Sequence, residues 1–276
     1  MKRPLARACQ ILSLAALIGA CSTPAPSTTP DPVPGGRPGH VLGYLKADDI
    51  PNSLAFMPAP PALGSASQAA DEAIYQATRA LRDTPRWALA VRDANLNFPE
   101  APGAFSCALG HSITASTTPH LNALLSRLRA DVSLTTARTK DHYKRQRPYL
   151  RHGESSCTPA ERHKSDSYPS SHAAIGWAWA LLLAEIAPHR GEALLRRGIA
   201  FGDSRVICGV HWQSDVEAGR LVGAATIARL QANPMFRAQM AHARKEIEQA
   251  VAEGIAPTES CHREIEALAI PERVPR

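Results

Sequence analysis

Apolar residues recur at helical spacing along most of this chain. The clearest series follows Thr118 and Pro119, a pair typical of a helix N-terminus, and occupies positions i, i+3, i+4, i+7 and i+11. Its members are Leu121, Leu124, Leu125, Leu128 and Val132. Residues 173–187 are almost uninterrupted in apolar side chains and precede Pro188. This run is too short to span a membrane and too apolar for a surface helix, so it predicts a central buried helix.

Four other stretches show helical periodicity. They predict helices over residues 66–82, 191–205, 212–230 and 234–252. Neither a convincing alternation typical of strands nor an internal repeat is present in the sequence. The pattern therefore predicts an all-α protein, a single-domain helical bundle over residues 41–253 with a loosely packed tail at 254–276.

Composition excludes two broad classes. Hydrophobic residues make up 44% of the 276 positions, enough to bury a core, so disorder over the whole length is excluded. Three of the 31 basic residues lie within residues 1–20, which leaves 28 against 25 acidic side chains in the remainder. No clustered basic run is present, and nucleic-acid binding is therefore not expected.

Residues 1–20 have the pattern of an export signal, with basic residues first and a ten-residue apolar region from Ile11 to Ala20. The cysteine that follows resembles a bacterial lipoprotein signal, in which Cys21 is acylated and becomes the new N-terminus. Residues 21–40 are rich in Pro, Ser and Thr and form a linker. Because Ser22 follows the cysteine, we expect a periplasmic protein that contacts the outer membrane through its lipid anchor. Ordinary secretory cleavage is the alternative, and both export the protein.

Export changes the interpretation of the cysteines that remain. They are Cys107, Cys157, Cys208 and Cys261. An even number in an oxidising compartment predicts two disulfides, and the count leaves three connectivities open. Four unpaired buried thiols are the alternative. The spacings of 50, 51 and 53 residues and the lack of Cys-x-x-Cys do not match a zinc site.

Three polar segments interrupt the predicted helices, at residues 140–148, 168–172 and 204–215. Taken singly, a basic cluster is typical of a solvated face and a lone histidine of a structural residue. The second segment directly precedes the apolar helix, so backbone N–H groups at the positive end of that helix would face an anion. The cations that could share the anion are Lys140, Arg147 and Arg205.

The histidines supply the reactive groups. His211 and Asp215 lie four residues apart at the start of a predicted helix, hence on one face, where the carboxylate can accept a hydrogen bond from one ring nitrogen. The other ring nitrogen then keeps its lone pair as a nucleophile. His172 could protonate a leaving alkoxide. Combined, the three segments contain what phosphoryl transfer needs without a metal.

The segments also resemble a known family. Lys-x6-Arg-Pro, Pro-Ser-Gly-His and Ser-Arg-x5-His-x3-Asp form the signature of the type 2 phosphatidic acid phosphatase and vanadium haloperoxidase superfamily, and ten of its eleven fixed positions are matched in order. Within it, residues 204–215 and the Ser-Tyr-Pro-Ser stretch look like bacterial class A nonspecific acid phosphatases. The similarity extends from about residue 55 to residue 250.

The resemblance implies an acid phosphatase that needs no metal or cofactor. Its ligands would be small organic phosphomonoesters and inorganic phosphate, with vanadate as an inhibitor. His211 would attack phosphorus and become phosphohistidine, Asp215 would orient it, and His172 would act as acid and later as base. The phosphoryl oxygens would be held by Lys140, Arg147, Ser170, Arg205 and the backbone N–H of Ser171. Phosphotransfer to other acceptors and a homo-oligomeric state stay open.

Ser171 is the position that departs from the signature, which has Gly there. Glycine is used where φ is positive or where the backbone approaches a ligand closely. Serine keeps the N–H donor and is small, so we expect catalysis to be retained with an altered affinity for phosphate.

Convergence of the three segments also favours one cysteine pairing. Cys157 lies shortly before the second segment and Cys208 inside the third, so we expect a Cys157–Cys208 disulfide near the phosphate pocket. Cys107 would then tie the tail through Cys261.

Three alternatives share parts of the pattern. A membrane lipid phosphatase would need several spans of about 20 apolar residues, and none follows residue 20. A vanadium-dependent haloperoxidase would share the pocket, but those proteins tend to be longer. A non-catalytic phosphate-binding lipoprotein needs the cations and amides, but not both histidines and Asp215.

Overall fold

The computed structural model describes residues 41–159, 166–257 and 260–269. Within these ranges the chain forms ten α-helices and no strand, which confirms the predicted all-α fold. The helices are α1 Ala66–Thr78, α2 Pro85–Asp93, α3 Ser106–Leu109, α4 Pro119–Tyr143, α5 Pro148–His152, α6 Ser171–Ile186, α7 Gly191–Ile207, α8 Gln213–Leu230, α9 Pro234–Ala252 and α10 Cys261–Ala269. The signal peptide, the linker and Cys21 lie outside the described residues.

Helix α6 lies at the centre of the bundle, as the apolar run predicted. It packs against α4, α7 and α8, and its Trp179 is fully buried with Nε1 donating to the Leu125 carbonyl at 3.1 Å. Glycines let α8 approach α6 closely: a Cβ at Gly219 or Gly223 would lie 2.4 Å from a backbone oxygen of α6 or its cap. This close packing holds the start of α8 beside the start of α6.

The predicted helix at Pro119 is confirmed, but its cap differs from the expectation. The Thr118 side chain makes no capping hydrogen bond. Instead the Glu246 carboxylate, from α9, accepts from the backbone N–H groups of His120 at 2.8 Å and Leu121 at 2.9 Å. A carboxylate there satisfies two N–H groups that a helix N-terminus leaves open.

Two helices were missed by the sequence analysis. Helix α2 begins with a Thr84 cap and Pro85 at the first turn, a signal that identified α4 and could have identified α2 as well. The expectation of a loosely packed tail is wrong for residues 261–269, which form α10. Its Glu264 is buried and pairs with Arg197, and this pairing could not be foreseen because the arginine lies on α7.

Two disulfides fasten the bundle. One joins Cys107 to Cys261 and so ties α10 to α3, and the other joins Cys157 to Cys208. These are the pairs expected from the sequence. Among the helices described here, none is both long and apolar enough to cross a membrane.

Candidate active site

The three polar segments converge where α4 and α7 end and α6 and α8 begin. Two backbone contacts fix this convergence: the Ser170 N–H donates to the Asp215 carbonyl at 2.9 Å, and the His211 N–H donates to the Arg205 carbonyl at 3.3 Å. The amino ends of α6 and α8 therefore lie side by side. Because each carries a partial positive charge, their junction favours an anion.

His211 presents a defined lone pair in this junction. It is 2% exposed, and its Nε2 lies 3.0 Å from Nη1 of Arg147. A guanidinium N–H can only donate, so Nε2 must be the acceptor, and the ring proton of neutral His211 is on Nδ1. Nε2 is thus the nitrogen available for nucleophilic attack.

The contact between His211 and Asp215 is less direct than the sequence suggested. His211 precedes the first residue of α8, so the pair is brought together by the capping turn and not by a shared helix face. Nδ1 lies 3.5 Å from Oδ2 of Asp215, beyond the usual hydrogen-bond distance. Ser167 fills the gap: its hydroxyl donates to Oδ2 at 2.5 Å and lies 3.3 Å from Nδ1. The sequence analysis missed Ser167, although it directly precedes the second segment.

Arg145 is a second residue that the sequence analysis missed. Its guanidinium lies between two buried carboxylates, with Nη1 2.7 Å from Oδ1 of Asp215 and Nη2 2.7 Å from Oδ2 of Asp71. It also donates to Ser214 and Gln68, each at 2.7 Å. With the Trp212 N–H donating to Oδ2, Asp215 is held from three directions. Arg145 belongs to the basic first segment, but nothing in the sequence separated it from the other cations there.

Lys140 and Arg147 meet at Asp166. Lys140 Nζ donates to the main-chain carbonyl of Asp166 at 2.6 Å, and Arg147 Nη2 pairs with its carboxylate at 2.9 Å. Burial, with repulsion from Arg147, lowers the pKa of Lys140 to about 8, and the charges of Asp166 and Asp215 offset part of that shift. Lys140 therefore keeps its charge under acidic and neutral conditions.

Arg205 and Ser170 are both fully buried at the same junction. Arg205 lies in the last turn of α7, and its carbonyl accepts from Val210 and His211. The Ser170 hydroxyl caps α6 by accepting from the Ala173 N–H at 3.2 Å. Both residues thus lie at the ends of the helices that border the site.

Ser171 causes no backbone strain at its place in the signature. It is the first residue of α6 and does not have a positive φ. Its hydroxyl lies 2.7 Å from Thr136 Oγ1, which itself donates to the Ser133 carbonyl. Because that threonine hydrogen is already used, Ser171 is the donor. Its side chain is thus turned toward α4, and its backbone N–H stays at the helix end.

His172 is placed by a contact with α2. Its Nε2 lies 2.9 Å from the Ala94 carbonyl, which can only accept, so Nε2 carries a proton. Nδ1 is then the nitrogen that gains or loses a proton while this contact lasts.

Two further observations concern the surroundings of the site. The Cys157–Cys208 disulfide lies just after α7, and the Cys157 N–H donates to the Cys208 carbonyl at 3.0 Å. In the described part of the chain, no group of three or more His, Cys, Asp or Glu side chains is placed to hold a metal ion.

Comparison with known proteins places the chain in a family. A model of the PAP2 superfamily matches residues 120–236. A non-specific acid phosphatase of Providencia stuartii is 42% identical over 209 residues, which cover 74% of this chain and 84% of that protein. Another, from Salmonella typhimurium, is 40% identical over 211 residues, covering 75% and 84%. An acid phosphatase of Zymomonas mobilis is 39% identical over 200 residues, covering 71% and 76%. By identity at this level over most of each chain, the protein belongs to the PAP2 superfamily and, within it, to the class A nonspecific acid phosphatases.

Proposed function

We propose that this protein is an exported acid phosphatase that hydrolyses small phosphomonoesters through a phosphohistidine on His211. Membership in the family makes it a phosphoric monoester hydrolase. The observation that carries the mechanism is the buried Nε2 of His211, which holds a lone pair beside Arg147 at the joined amino ends of α6 and α8. A nucleophile and an anion site therefore coincide.

The first step transfers the phosphoryl group to the enzyme. Nε2 of His211 attacks phosphorus, and the N–P bond forms as the bond to the ester oxygen breaks. His172, as imidazolium, gives its Nδ1 proton to the departing oxygen. The positive charge that develops on His211 is stabilised by Ser167 and Asp215.

The second step releases phosphate. Neutral His172 takes a proton from water, the water oxygen attacks phosphorus, and the N–P bond breaks. Both histidines return to their starting protonation states. An alcohol in place of water would receive the phosphoryl group, so phosphotransferase activity would use the same intermediate.

Cationic side chains supply the charge stabilisation. Lys140, Arg147 and Arg205, with the α6 amino end, would hold the phosphoryl oxygens in the role that a metal has in other phosphatases. Hydrolysis of p-nitrophenyl phosphate should therefore survive excess EDTA, and vanadate should inhibit it. Loss of activity on chelation that a divalent ion restores would overturn the metal-free mechanism.

The roles of the two histidines are tested with a series of aryl phosphates. His211→Ala should abolish turnover of every substrate, whereas His172→Ala should retain more activity as the leaving group becomes more acidic. His189→Ala, at an exposed histidine between α6 and α7, is the matched control and should behave as wild type. Equal losses across the series in His172→Ala would contradict its role as the acid.

The same preparation separates the alternative functions. Phosphate binding without hydrolysis of any phosphomonoester would favour a non-catalytic phosphate-binding protein. Halide oxidation that depends on added vanadate, without phosphatase activity, would favour a haloperoxidase.

Export and lipid attachment rest on the sequence pattern of residues 1–40. The full-length protein should fractionate with membranes, and Cys21→Ser should release it or block its processing with activity unchanged. Wild-type protein found wholly in the soluble periplasm, with an N-terminus other than Cys21, would indicate ordinary secretion.

A further inference from the structure

An acidic residue lies among the cations proposed to hold phosphate. The Asp166 carboxylate pairs with Nη2 of Arg147 at 2.9 Å, and its main-chain carbonyl accepts from Lys140 Nζ at 2.6 Å. One residue therefore contacts two of the cations of the pocket, and its side chain brings a negative charge to a site for an anion.

Asp166 is also the partner of Arg147 that can move most easily. Nη1 of Arg147 donates to the Val210 carbonyl and contacts His211, both at 3.0 Å, and these two partners are buried. The Asp166 side chain is 38% exposed, so its carboxylate can turn into solvent by rotation about its own bonds. Nη2 is thus the N–H group of Arg147 that exchange of Asp166 would free.

We propose that the Asp166 carboxylate competes with the substrate phosphoryl group, and with product phosphate, for Arg147. This inference rests on the proposed function, because it concerns the same pocket. A phosphoryl dianion and a carboxylate beside one guanidinium repel each other, so phosphate enters only as Asp166 leaves. Asp166 would keep the pocket organised when it is empty, weaken the binding of phosphate and favour its release after each turnover.

The test is a measurement of phosphate affinity in charge variants. Asp166→Asn removes the charge and keeps the shape, and Asp166→Ala removes the contact as well. Asp141→Asn makes the same change of net charge at an exposed carboxylate of α4, next to Lys140 in the sequence. Titration calorimetry with inorganic phosphate at pH 6 keeps Lys140 charged, since its pKa is about 8.

We expect both Asp166 variants to bind phosphate about tenfold more tightly than wild type, the order expected for removal of one like charge at a partly exposed anion site. Inhibition of hydrolysis by phosphate should strengthen by the same factor, and Asp141→Asn should match wild type. A damaged fold would weaken binding, so tighter binding in both variants cannot result from misfolding.

Unchanged or weaker phosphate binding in the Asp166 variants would overturn the inference and make Asp166 a residue that positions Arg147. Equal tightening in Asp141→Asn would overturn it too, since net charge alone would then explain the effect. Calorimetry needs no turnover, so the two proposals fail separately. A wild type that binds phosphate and hydrolyses no phosphomonoester contradicts only the proposed function.

Discussion

Replacing Arg145 tests whether the contacts behind Asp215 support both stability and catalysis. Arg145→Met removes the guanidinium and keeps most of the aliphatic bulk. The change leaves the carboxylates of Asp71 and Asp215, 3% and 0% exposed, without the cation that lies between them. Their remaining donors are Ser214 for Asp71, and Ser167 and Trp212 for Asp215.

The expected loss is large because the pair is buried. Removing one partner of a buried ion pair costs about 3–5 kcal/mol, mostly because a charge is left uncompensated. For a protein of this size that is a fall in melting temperature of roughly 6 to 20 °C. Because Asp215 orients His211 and Arg145 does not contact the proposed phosphate position, kcat should fall by about 100-fold while KM changes little.

Urea unfolding with the disulfides intact gives the free energy, and hydrolysis of p-nitrophenyl phosphate gives kcat and KM. Arg151→Met is the matched control, since Arg151 pairs with Glu72 at 2.8 Å at a site where the arginine is 37% exposed. An exposed pair of this kind contributes about 0–1 kcal/mol. Arg145→Lys should be intermediate, because it restores the charge without the planar fork.

The reasoning is refuted if Arg145→Met loses no more stability than Arg151→Met. It is also refuted if kcat stays at the wild-type value, since the carboxylate would then hold His211 without Arg145. An equal rise in KM and fall in kcat would indicate instead that Arg145 contacts the substrate.

Three further predictions follow from single contacts. Because the pKa of Lys140 is lowered to about 8, its charge is present below that pH and lost above it; inhibition by phosphate should weaken as pH rises through 8, and Lys140→Arg should remove this dependence. Ser171→Gly should keep turnover within about threefold and cost about 1 kcal/mol in urea unfolding, through loss of the hydrogen bond to Thr136; a 100-fold loss of activity would contradict this. Replacing Cys157 and Cys208 by Ala should lower the free energy of unfolding by about 4 kcal/mol, since their bond closes a loop of 51 residues; an unchanged unfolding midpoint would argue against that contribution.

Much of the fold was determined by local pattern. The apolar run at 173–187 has no polar face, so it can be stable only in the centre, which is where α6 lies. The spacing of the three polar segments identified Lys140, Arg147, His211 and the other signature residues, because each segment joins the needed side chains to a helix end. Such information lies within a few residues of the chain and needs no partner to be readable.

The tertiary structure decided which distant groups complete the site. Arg145 contacts Asp71, 74 residues away, and Ser214 contacts the same carboxylate across 143 residues. Asp166 was not recognised either, because its role depends on where Arg147 lies across the pocket. Periodicity shows which side of a helix is buried, but not which side chain lies opposite.

The same limit explains the errors at the helix ends and in the tail. Glu246 caps α4 from α9, and Glu264 of α10 is buried because Arg197 of α7 pairs with it. A glutamate in isolation predicts a solvated position, since burying its charge is costly. The cation or the open N–H groups that offset this cost come from another helix, so the packing of the helices decides whether the glutamate is a surface charge or a buried contact.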